Sequence, residues 1–199
     1  MKNITILGGG VLGSQIAFQT CYSGYSVTIY LRTKESIDRC KKKLEDVRNS
    51  YINAINIMKN EKNINTWSLG IADFDNFSDN KLLKIVNDVL NKINFELDLE
   101  KSVQDADLII ESMSEDFEAK KEIYQKIAPL LPDKTILVTN SSTLLPSKLA
   151  KFTKRESKFL ALHFANSIWK NNVVEVMMHK NTDEKYFEEV INFAKSIRM

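Results

Sequence analysis

The segment GGGVLG at residues 8–13 constrains the fold more than any other part of the chain. It holds four of the six glycines among the 199 residues. The β-branched run NITIL at 3–7 comes directly before it, a segment of helical character follows at 14–23, and a second apolar run, SVTIYL, occupies 26–31. A strand, a glycine loop, a helix and a second strand in this order predict a β-α-β unit.

Three of these glycines, Gly8, Gly10 and Gly13, match the pattern GxGxxG. In this pattern the first glycine permits a tight turn, the second lets a pyrophosphate approach the backbone, and the third allows close packing of helix on strand. The helix N-terminus adds free amide donors, so Val11 and Leu12 join the glycines as cofactor-binding candidates. A glycine-rich turn without a ligand is the alternative, but the flanking elements favour dinucleotide binding.

The rest of the chain alternates between helical and strand patterns. Apolar residues at helical spacing predict a long helix over 35–62, an irregular segment over 63–77, and a helix from Ser78 whose apolar face includes Ile93. Strands are then predicted at 95–99, 107–112, 135–140, 159–164 and 173–178, with helices at 117–130, 146–152 and 183–197. We therefore expect one α/β domain over 1–199, Rossmann-type and doubly wound, with a largely parallel sheet and a long helical excursion after the second strand.

Charge and cysteine content exclude several classes of function. The 28 basic and 26 acidic residues give a formal charge of only +2, which argues against a nucleic-acid or membrane-surface binder. Cys21 and Cys40 lack metal-ligand spacing, no metal site is predicted, and both thiols are expected to be buried and inert. With no leader pattern and no membrane-spanning run, we expect a cytoplasmic protein. The ending Arg198-Met199 lacks a C-cap glycine, so we expect a piece of a longer protein.

The end of the second predicted strand bears on which dinucleotide is bound. An acidic residue usually accepts hydrogen bonds from the ribose 2′-hydroxyl there, but this chain has Leu31 followed by Arg32. A guanidinium can pair with a 2′-phosphate, which favours NADP slightly. A solvated arginine beside a site that still accepts NAD is the alternative, so the predicted cofactor is NAD(P).

Polar residues at or beyond three later strands form a candidate catalytic set. Ser142 follows one strand, His163 lies near the end of the next, and Glu175 lies within the strand after that. Imidazole titrates near neutral pH, so His163 can take a proton from a hydroxyl as hydride leaves the adjacent carbon. Glu175, amid apolar neighbours, would be costly to bury without a partner, and His163 is available. Ser142 and Asn166 can contact polar groups of the substrate.

Each of these residues also has an ordinary structural interpretation. A lone histidine in an apolar strand is often a core side chain, and NSST at 140–143 is compatible with a simple capping loop. His179 has no comparable setting and is expected at the surface.

Three longer segments resemble a known family. They are GGGVLG, ESMSEDFEAKKEIYQKIAPLLPDKTILVTNSST and LHFANSIWKNNVVEV, and together they resemble the N-terminal NAD-binding domain of 3-hydroxyacyl-CoA dehydrogenases. The resemblance implies reversible oxidation of a (3S)-3-hydroxyacyl-CoA, such as 3-hydroxybutyryl-CoA, to the 3-oxoacyl-CoA. It makes His163 the general base, Glu175 its partner, and Ser142 and Asn166 substrate contacts.

The resemblance also implies cofactor contacts outside the glycine loop. Glu115 and Lys120 would neighbour the nicotinamide ribose, and Asn140 is a further cofactor-binding candidate. Lys59 and Lys62 are weak candidates for contacting phosphates of the CoA tail, and an ordinary solvated lysine face is the alternative.

Three departures from the family keep alternatives open. The usual HFFNP reads HFANS here, with Ala165 and Ser167 in place of an aromatic residue and a proline, and Leu31-Arg32 replaces the usual acid. The family's C-terminal helical domain, which implies a homodimer in the full-length protein, is absent from this chain, so the fragment alone is expected to be inactive. A dehydrogenase of another small 3-hydroxy acid, such as carnitine, and a non-enzymatic dinucleotide-binding module are therefore the alternatives.

Overall fold

The computed structural model describes residues 1–199 and contains a single seven-stranded sheet. The strands are β1 (Asn3–Leu7), β2 (Ser26–Tyr30), β3 (Ile93–Glu96), β4 (Leu108–Glu111), β5 (Ile136–Thr139), β6 (Phe159–Phe164) and β7 (Val174–Met177). The α-helices are α1 (Val11–Tyr22), α2 (Lys34–Glu61), α3 (Asp79–Val89), α4 (Leu99–Val103), α5 (Phe117–Ile127), α6 (Pro146–Leu149) and α7 (Glu184–Ser196). Short 3-10 helices occupy Ile64–Thr66, Ala150–Phe152 and Glu156–Lys158.

The strand order β3-β2-β1-β4-β5-β6-β7 confirms the predicted doubly wound fold. Strands β1 to β6 are parallel, and β7 runs antiparallel to β6 at one edge. The chain begins in the middle of the sheet, builds outward to β3, and then returns to the other side of β1. This reversal between β1 and β4 opens a crevice beyond the carboxyl ends of the strands, which is where open α/β sheets bind ligands.

Helices cover both faces of the sheet, because the strands are apolar on both sides. Alternate residues of β4 point to opposite faces, so Leu108 and Ile110 join one core while Ile109 joins the other. Helices α1, α2, α3 and α7 pack on the first face, and α4, α5 and α6 on the second. The described chain contains no helix that is long and apolar enough to cross a membrane.

The long predicted helix is confirmed as α2, which begins at a capping box formed by Thr33 and Ser36. A buried amide ties this excursion to the rest of the domain. Gln19 of α1 donates 2.8 Å hydrogen bonds from Nε2 to the carbonyl oxygens of Gly70 and Ile197, and the Tyr51 hydroxyl donates to its Oε1. The excursion and the C-terminal helix are therefore both anchored on α1.

The prediction was wrong at the boundary between α3 and β3. Ile93 was expected on the helical face, but α3 ends at Val89 and Ile93 begins β3 opposite Val27. The strand predicted at 95–99 ends at Glu96, because that carboxylate accepts the amides of Leu97 and Asp98 at 2.8 Å and turns the chain.

Two further predictions concern buried side chains. Cys21 and Cys40 are buried as expected. Burial, opposed by the charge of Lys92, raises the pKa of the Cys21 thiol to about 11.

His179, expected at the surface, is only 9% exposed. Its Nε2 lies 3.0 Å from the carbonyl oxygen of Glu156, and its ring packs near Phe159, because the turn after β7 folds back over the start of β6.

Candidate active site

A groove of about 680 Å³ lies over the carboxyl ends of β1, β2 and β4. Its lining comes from the glycine loop, the start of α2, the loop after β4 and Asn140. The lining residues are Gly8, Gly9, Gly10, Val11, Leu12, Gly13, Tyr30, Leu31, Arg32, Thr33, Ser36, Arg39, Lys43, Ser112, Met113, Ser114 and Asn140. The groove therefore contains three cationic side chains and no acidic one.

The glycine loop has one open position and three packed ones. Gly8 has φ +108°, and a Cβ there would lie 2.6 Å from the Ser112 carbonyl oxygen. A Cβ on Gly13 would lie 2.4 Å from the Gly8 carbonyl oxygen, and one on Gly9 would lie 2.6 Å from Cys40 Sγ. A Cβ on Gly10 would meet nothing within 4 Å. Gly9 is not one of the three glycines of the pattern GxGxxG. A side chain at this position would collide with Cys40 of α2, so glycine is required here as well.

The first turn of α1 fits a pyrophosphate. Gly10 is the N-cap residue, and no side chain caps this end of the helix. The free backbone amides of this first turn therefore face the groove beside Gly10. The positive end of the helix dipole adds to their attraction for an anion. This arrangement can hold the phosphates of a dinucleotide.

Substitution at Gly10 should separate cofactor binding from folding. Because Gly10 has φ −68° and open space around it, Gly10→Ala should change the unfolding free energy by less than about 0.5 kcal/mol. The added methyl group would occupy the phosphate path, so NAD(P)H affinity should fall about tenfold or more. Urea unfolding and fluorescence titration measure the two quantities.

Gly13→Ala is the matched comparison, because its methyl group would collide with the Gly8 carbonyl. It should destabilise the fold by about 1–3 kcal/mol, the usual cost of overpacking. Tight NAD(P)H binding by the Gly10→Ala variant would contradict the assignment of this loop to phosphates.

A buried carboxylate organises the loop after β4. Glu111 is fully buried, and its oxygens accept hydrogen bonds from Lys120 Nζ at 2.7 and 2.8 Å, Tyr124 Oη at 2.7 Å and Thr139 Oγ1 at 2.8 Å. The Met113 amide also donates to Glu111, at 2.7 Å. Burial, the main cause, and the negative charge of Glu111, the second, raise the pKa of Tyr124 well above its ordinary value. The Tyr124 hydroxyl therefore keeps its proton and donates a hydrogen bond to Glu111. Sequence reasoning missed Glu111, although a single acid ending an apolar strand was a visible signal.

Glu115 connects this network to the loop after β5. One of its oxygens accepts hydrogen bonds from the Ser141 hydroxyl and from the amide and hydroxyl of Thr143, at 2.9 and 2.8 Å for the latter two. Partial burial raises the pKa of Glu115, but these hydrogen bonds and the nearby charge of Lys120 outweigh it and lower the pKa to about 2. Lys120 itself is 1% exposed and does not line the groove, so its predicted place beside the nicotinamide ribose stays a prediction.

The low pKa of Glu115 predicts an acid-dependent loss of stability. Its folded pKa, about 2, lies below the ordinary value of 4.5, so its contribution is complete above pH 4.5 and is lost as the pH falls toward 2. Glu115→Gln should therefore destabilise the chain more at pH 7 than at pH 3 in urea unfolding. Glu45→Gln, at an exposed position of α2, is the control. An equal difference from wild type at both pH values would show that the loop does not depend on this carboxylate.

The strand register brings His163 and Glu175 directly opposite each other on β6 and β7. His163 Nδ1 lies 2.9 Å from Glu175 Oε2. The pair is not buried: the side chain of Glu175 is 63% exposed and that of His163 is 28% exposed. The reason is that β7 is an edge strand, and the face that carries Glu175 is open.

Asn140 connects the histidine strand to the groove. Its Oδ1 accepts the Phe164 amide at 2.9 Å, next to His163, and its Nδ2 donates to Ser112 Oγ at 3.3 Å. Ser142 and Asn166 are exposed, and neither side chain hydrogen-bonds to His163 or to other protein groups. The structure thus pairs His163 with Glu175 and leaves Ser142 and Asn166 available to a ligand.

The lysines considered for the CoA tail lie at the end of α2. Lys59 pairs with Asp79 at 2.7 Å. Lys62 is the C-cap residue, with φ 47°. Their proposed phosphate contacts gain no support from these positions.

Comparison with known proteins places the whole chain in one family. Residues 3–199 match the family model for the NAD binding domain of 3-hydroxyacyl-CoA dehydrogenase. The mitochondrial hydroxyacyl-coenzyme A dehydrogenase of Rattus norvegicus is 26% identical over 99% of this chain and 57% of its own length. The 3-hydroxybutyryl-CoA dehydrogenase of Clostridioides difficile is 28% identical over 98% of this chain and 60% of its own length.

Solved structures show the same fold. A diketoreductase, described as acting on dicarbonyl compounds, superposes with a TM-score of 0.83 at 41% identity and covers 100% of this chain and 62% of that one. The (S)-3-hydroxybutyryl-CoA dehydrogenase of Ralstonia eutropha superposes with a TM-score of 0.77 at 19% identity, over 100% of this chain and 61% of that one. The chain therefore spans about three-fifths of the length of these relatives.

Proposed function

Because this chain belongs to the 3-hydroxyacyl-CoA dehydrogenase family as its NAD-binding domain, we propose that the protein is an oxidoreductase acting on a (3S)-3-hydroxyacyl-CoA such as 3-hydroxybutyryl-CoA. The single observation that carries this proposal is the His163–Glu175 pair, whose side chains lie 2.9 Å apart. The next residue, Phe164, donates its amide to Asn140, which lines the groove. A glycine-rich turn serving only as structure, or a simple binding module, would not require such a pair.

In this proposal His163 acts as the general base. Glu175 accepts a hydrogen bond from Nδ1–H and so fixes the tautomer in which Nε2 carries a lone pair. Nε2 makes no hydrogen bond within the protein and is free to take the substrate hydroxyl proton. A bound nicotinamide supplies the hydride acceptor in oxidation and the donor in reduction. In the reverse reaction His163 returns the proton to the 3-oxo oxygen.

The remaining site residues bind and orient the substrate. Ser142 and Asn166 present uncommitted polar side chains that can donate hydrogen bonds to the substrate oxygens. Glu115 and Asn140 hold the loops on which these contacts depend. We also propose a homodimer for the full-length protein, as the family resemblance implies.

A second substrate class is favoured by one specific observation. The diketoreductase is 41% identical to this chain, well above the acyl-CoA dehydrogenases compared with it. Together with the altered segment HFANS, this makes a small dicarbonyl compound without CoA the second candidate. Assaying the complete protein with acetoacetyl-CoA, a free 1,3-dicarbonyl compound and carnitine would separate the classes by kcat/KM.

Replacing either member of the pair should impair turnover and spare cofactor binding. His163→Gln should lower kcat by about a hundredfold or more, the range expected for loss of a general base. Glu175→Gln should cause a smaller loss, because the imidazole remains but its orientation is no longer fixed by a carboxylate. Steady-state kinetics on the complete protein and NAD(P)H titration of each variant measure these effects. Normal turnover by His163→Gln would remove the histidine from the mechanism.

We also propose that NADP(H) binds more tightly than NAD(H). Leu31 follows β2 at the position where an acid usually contacts the adenosine ribose, and the groove lining contains no carboxylate. Arg32, Arg39 and Lys43 all line this end of the groove, and none of them pairs with an acidic side chain. A 2′-phosphate would form ion-paired, charge-assisted hydrogen bonds with such cations, whereas a 2′-hydroxyl offers them only a neutral oxygen.

Titration of the two cofactors tests this preference. Arg32→Ala should weaken NADPH about tenfold, the equivalent of one charge-assisted hydrogen bond, and leave NADH within about twofold. Lys42→Ala, an exposed α2 residue outside the groove lining, is the matched control and should change neither affinity. Added salt should reduce the preference of wild type for NADPH over NADH, because salt screens the attraction between Arg32 and the 2′-phosphate. Tighter binding of NADH than NADPH by wild type would refute the proposal.

A further inference from the structure

The loop joining β6 to β7 is held by a side chain from the cofactor helix. Gln15, in the second turn of α1, is only 6% exposed. Its Oε1 accepts the Ser167 amide at 2.8 Å and lies 3.4 Å from the Ile168 amide. A single buried carbonyl oxygen therefore receives two successive backbone donors of the loop, and no other polar group satisfies them.

Ser167 has a backbone conformation that a proline cannot adopt. Its φ is +57°, in the left-handed region, whereas a proline ring fixes φ near −65° and removes the amide hydrogen. The Ser167 carbonyl also accepts the amides of Lys170 and Asn171, both at 2.8 Å. The turn thus depends on a residue that keeps its N–H and tolerates positive φ.

This turn determines where Asn166 lies. Asn171 Nδ2 donates to the Asn166 carbonyl at 2.9 Å, so the Asn166 backbone is held between Asn171 and the anchored amide of Ser167. The Asn166 side chain is exposed and makes no hydrogen bond within the protein. The same loop ends at the strands that carry His163 and Glu175.

We propose that Gln15 is a positioning residue that, through Ser167, sets Asn166 for hydrogen bonding to an oxygen of the 3-hydroxy or 3-oxo substrate. The first turn of α1 faces the dinucleotide and the next turn fixes the substrate loop, so one helix aligns both ligands. This inference rests on the proposed function, since it assigns Asn166 to the substrate of that reaction.

The first test replaces the acceptor. Gln15→Met keeps the side-chain length and removes the oxygen, so it should raise KM about tenfold with kcat within about twofold. Gln15→Glu keeps an acceptor oxygen and should restore most of the wild-type KM. An unchanged KM for Gln15→Met would overturn the proposal, and so would a tenfold loss of NAD(P)H affinity in this variant, because the defect would then lie in α1 as a whole.

The second test asks whether Gln15 acts through Asn166. Asn166→Ala should raise KM, and adding Gln15→Met to it should cause little further change, because the group being positioned is already gone. Additive effects of the two substitutions would refute the coupling. Ser167→Gly, which keeps the N–H and positive φ, should behave as wild type, whereas Ser167→Pro should resemble Gln15→Met or be worse.

A measurement without substrate keeps this inference separable from the proposed function. Hydrogen exchange of the Ser167 and Ile168 amides should be slow in wild type and much faster in Gln15→Met. If wild type turns over none of the assayed substrates, the proposed function fails while the exchange result still tests the anchor. If wild type is active and the two amides exchange equally fast in wild type and Gln15→Met, the positioning role of Gln15 is refuted while the proposed function stands.

Discussion

A buried carboxylate, Glu111, holds together the part of the molecule on which the site depends. Removing a carboxylate and an ammonium group from water is expensive, and the cost is offset only when both are well paired. Here Lys120 is 1% exposed, and the donors to Glu111 come from α5, β5 and the loop after β4. The pair therefore locks three elements at the reversal between β1 and β4. Removing either partner would leave an unpaired charge in the core.

Polar contacts extend from this pair toward the strand that carries His163. Lys120 lies 3.5 Å from Glu115 Oε2, and Glu115 in turn fixes the loop that contains Ser142. In parallel, Asn140 joins the loop after β4 to β6, one residue from His163. Both loops are thus held in place by contacts within the protein, which would lower the cost of orienting the reacting groups in the proposed reaction. The cofactor end differs, because it consists of free amides and unpaired cations.

Much of the fold follows from local patterns in the sequence. The glycine loop needs residues without side chains at fixed spacing, and helix and strand periods show which faces are apolar. These signals depend on near neighbours along the chain, so they located the first β-α-β unit, the long helix α2 and the strands containing His163 and Glu175. The pairing of these two residues was also predictable, because consecutive strands commonly lie side by side.

What the sequence left open was decided by contacts between distant segments. Glu175 is exposed because β7 lies at the sheet edge, and Ile93 joins a strand because Val27 offers it a partner. His179 is buried by the turn that follows β7. Gln15 and Ser167 are 152 positions apart, and nothing in either local pattern predicts that one anchors the other. Periodicity determines which residues form each element, whereas exposure and polar pairing depend on which elements become neighbours in the folded domain.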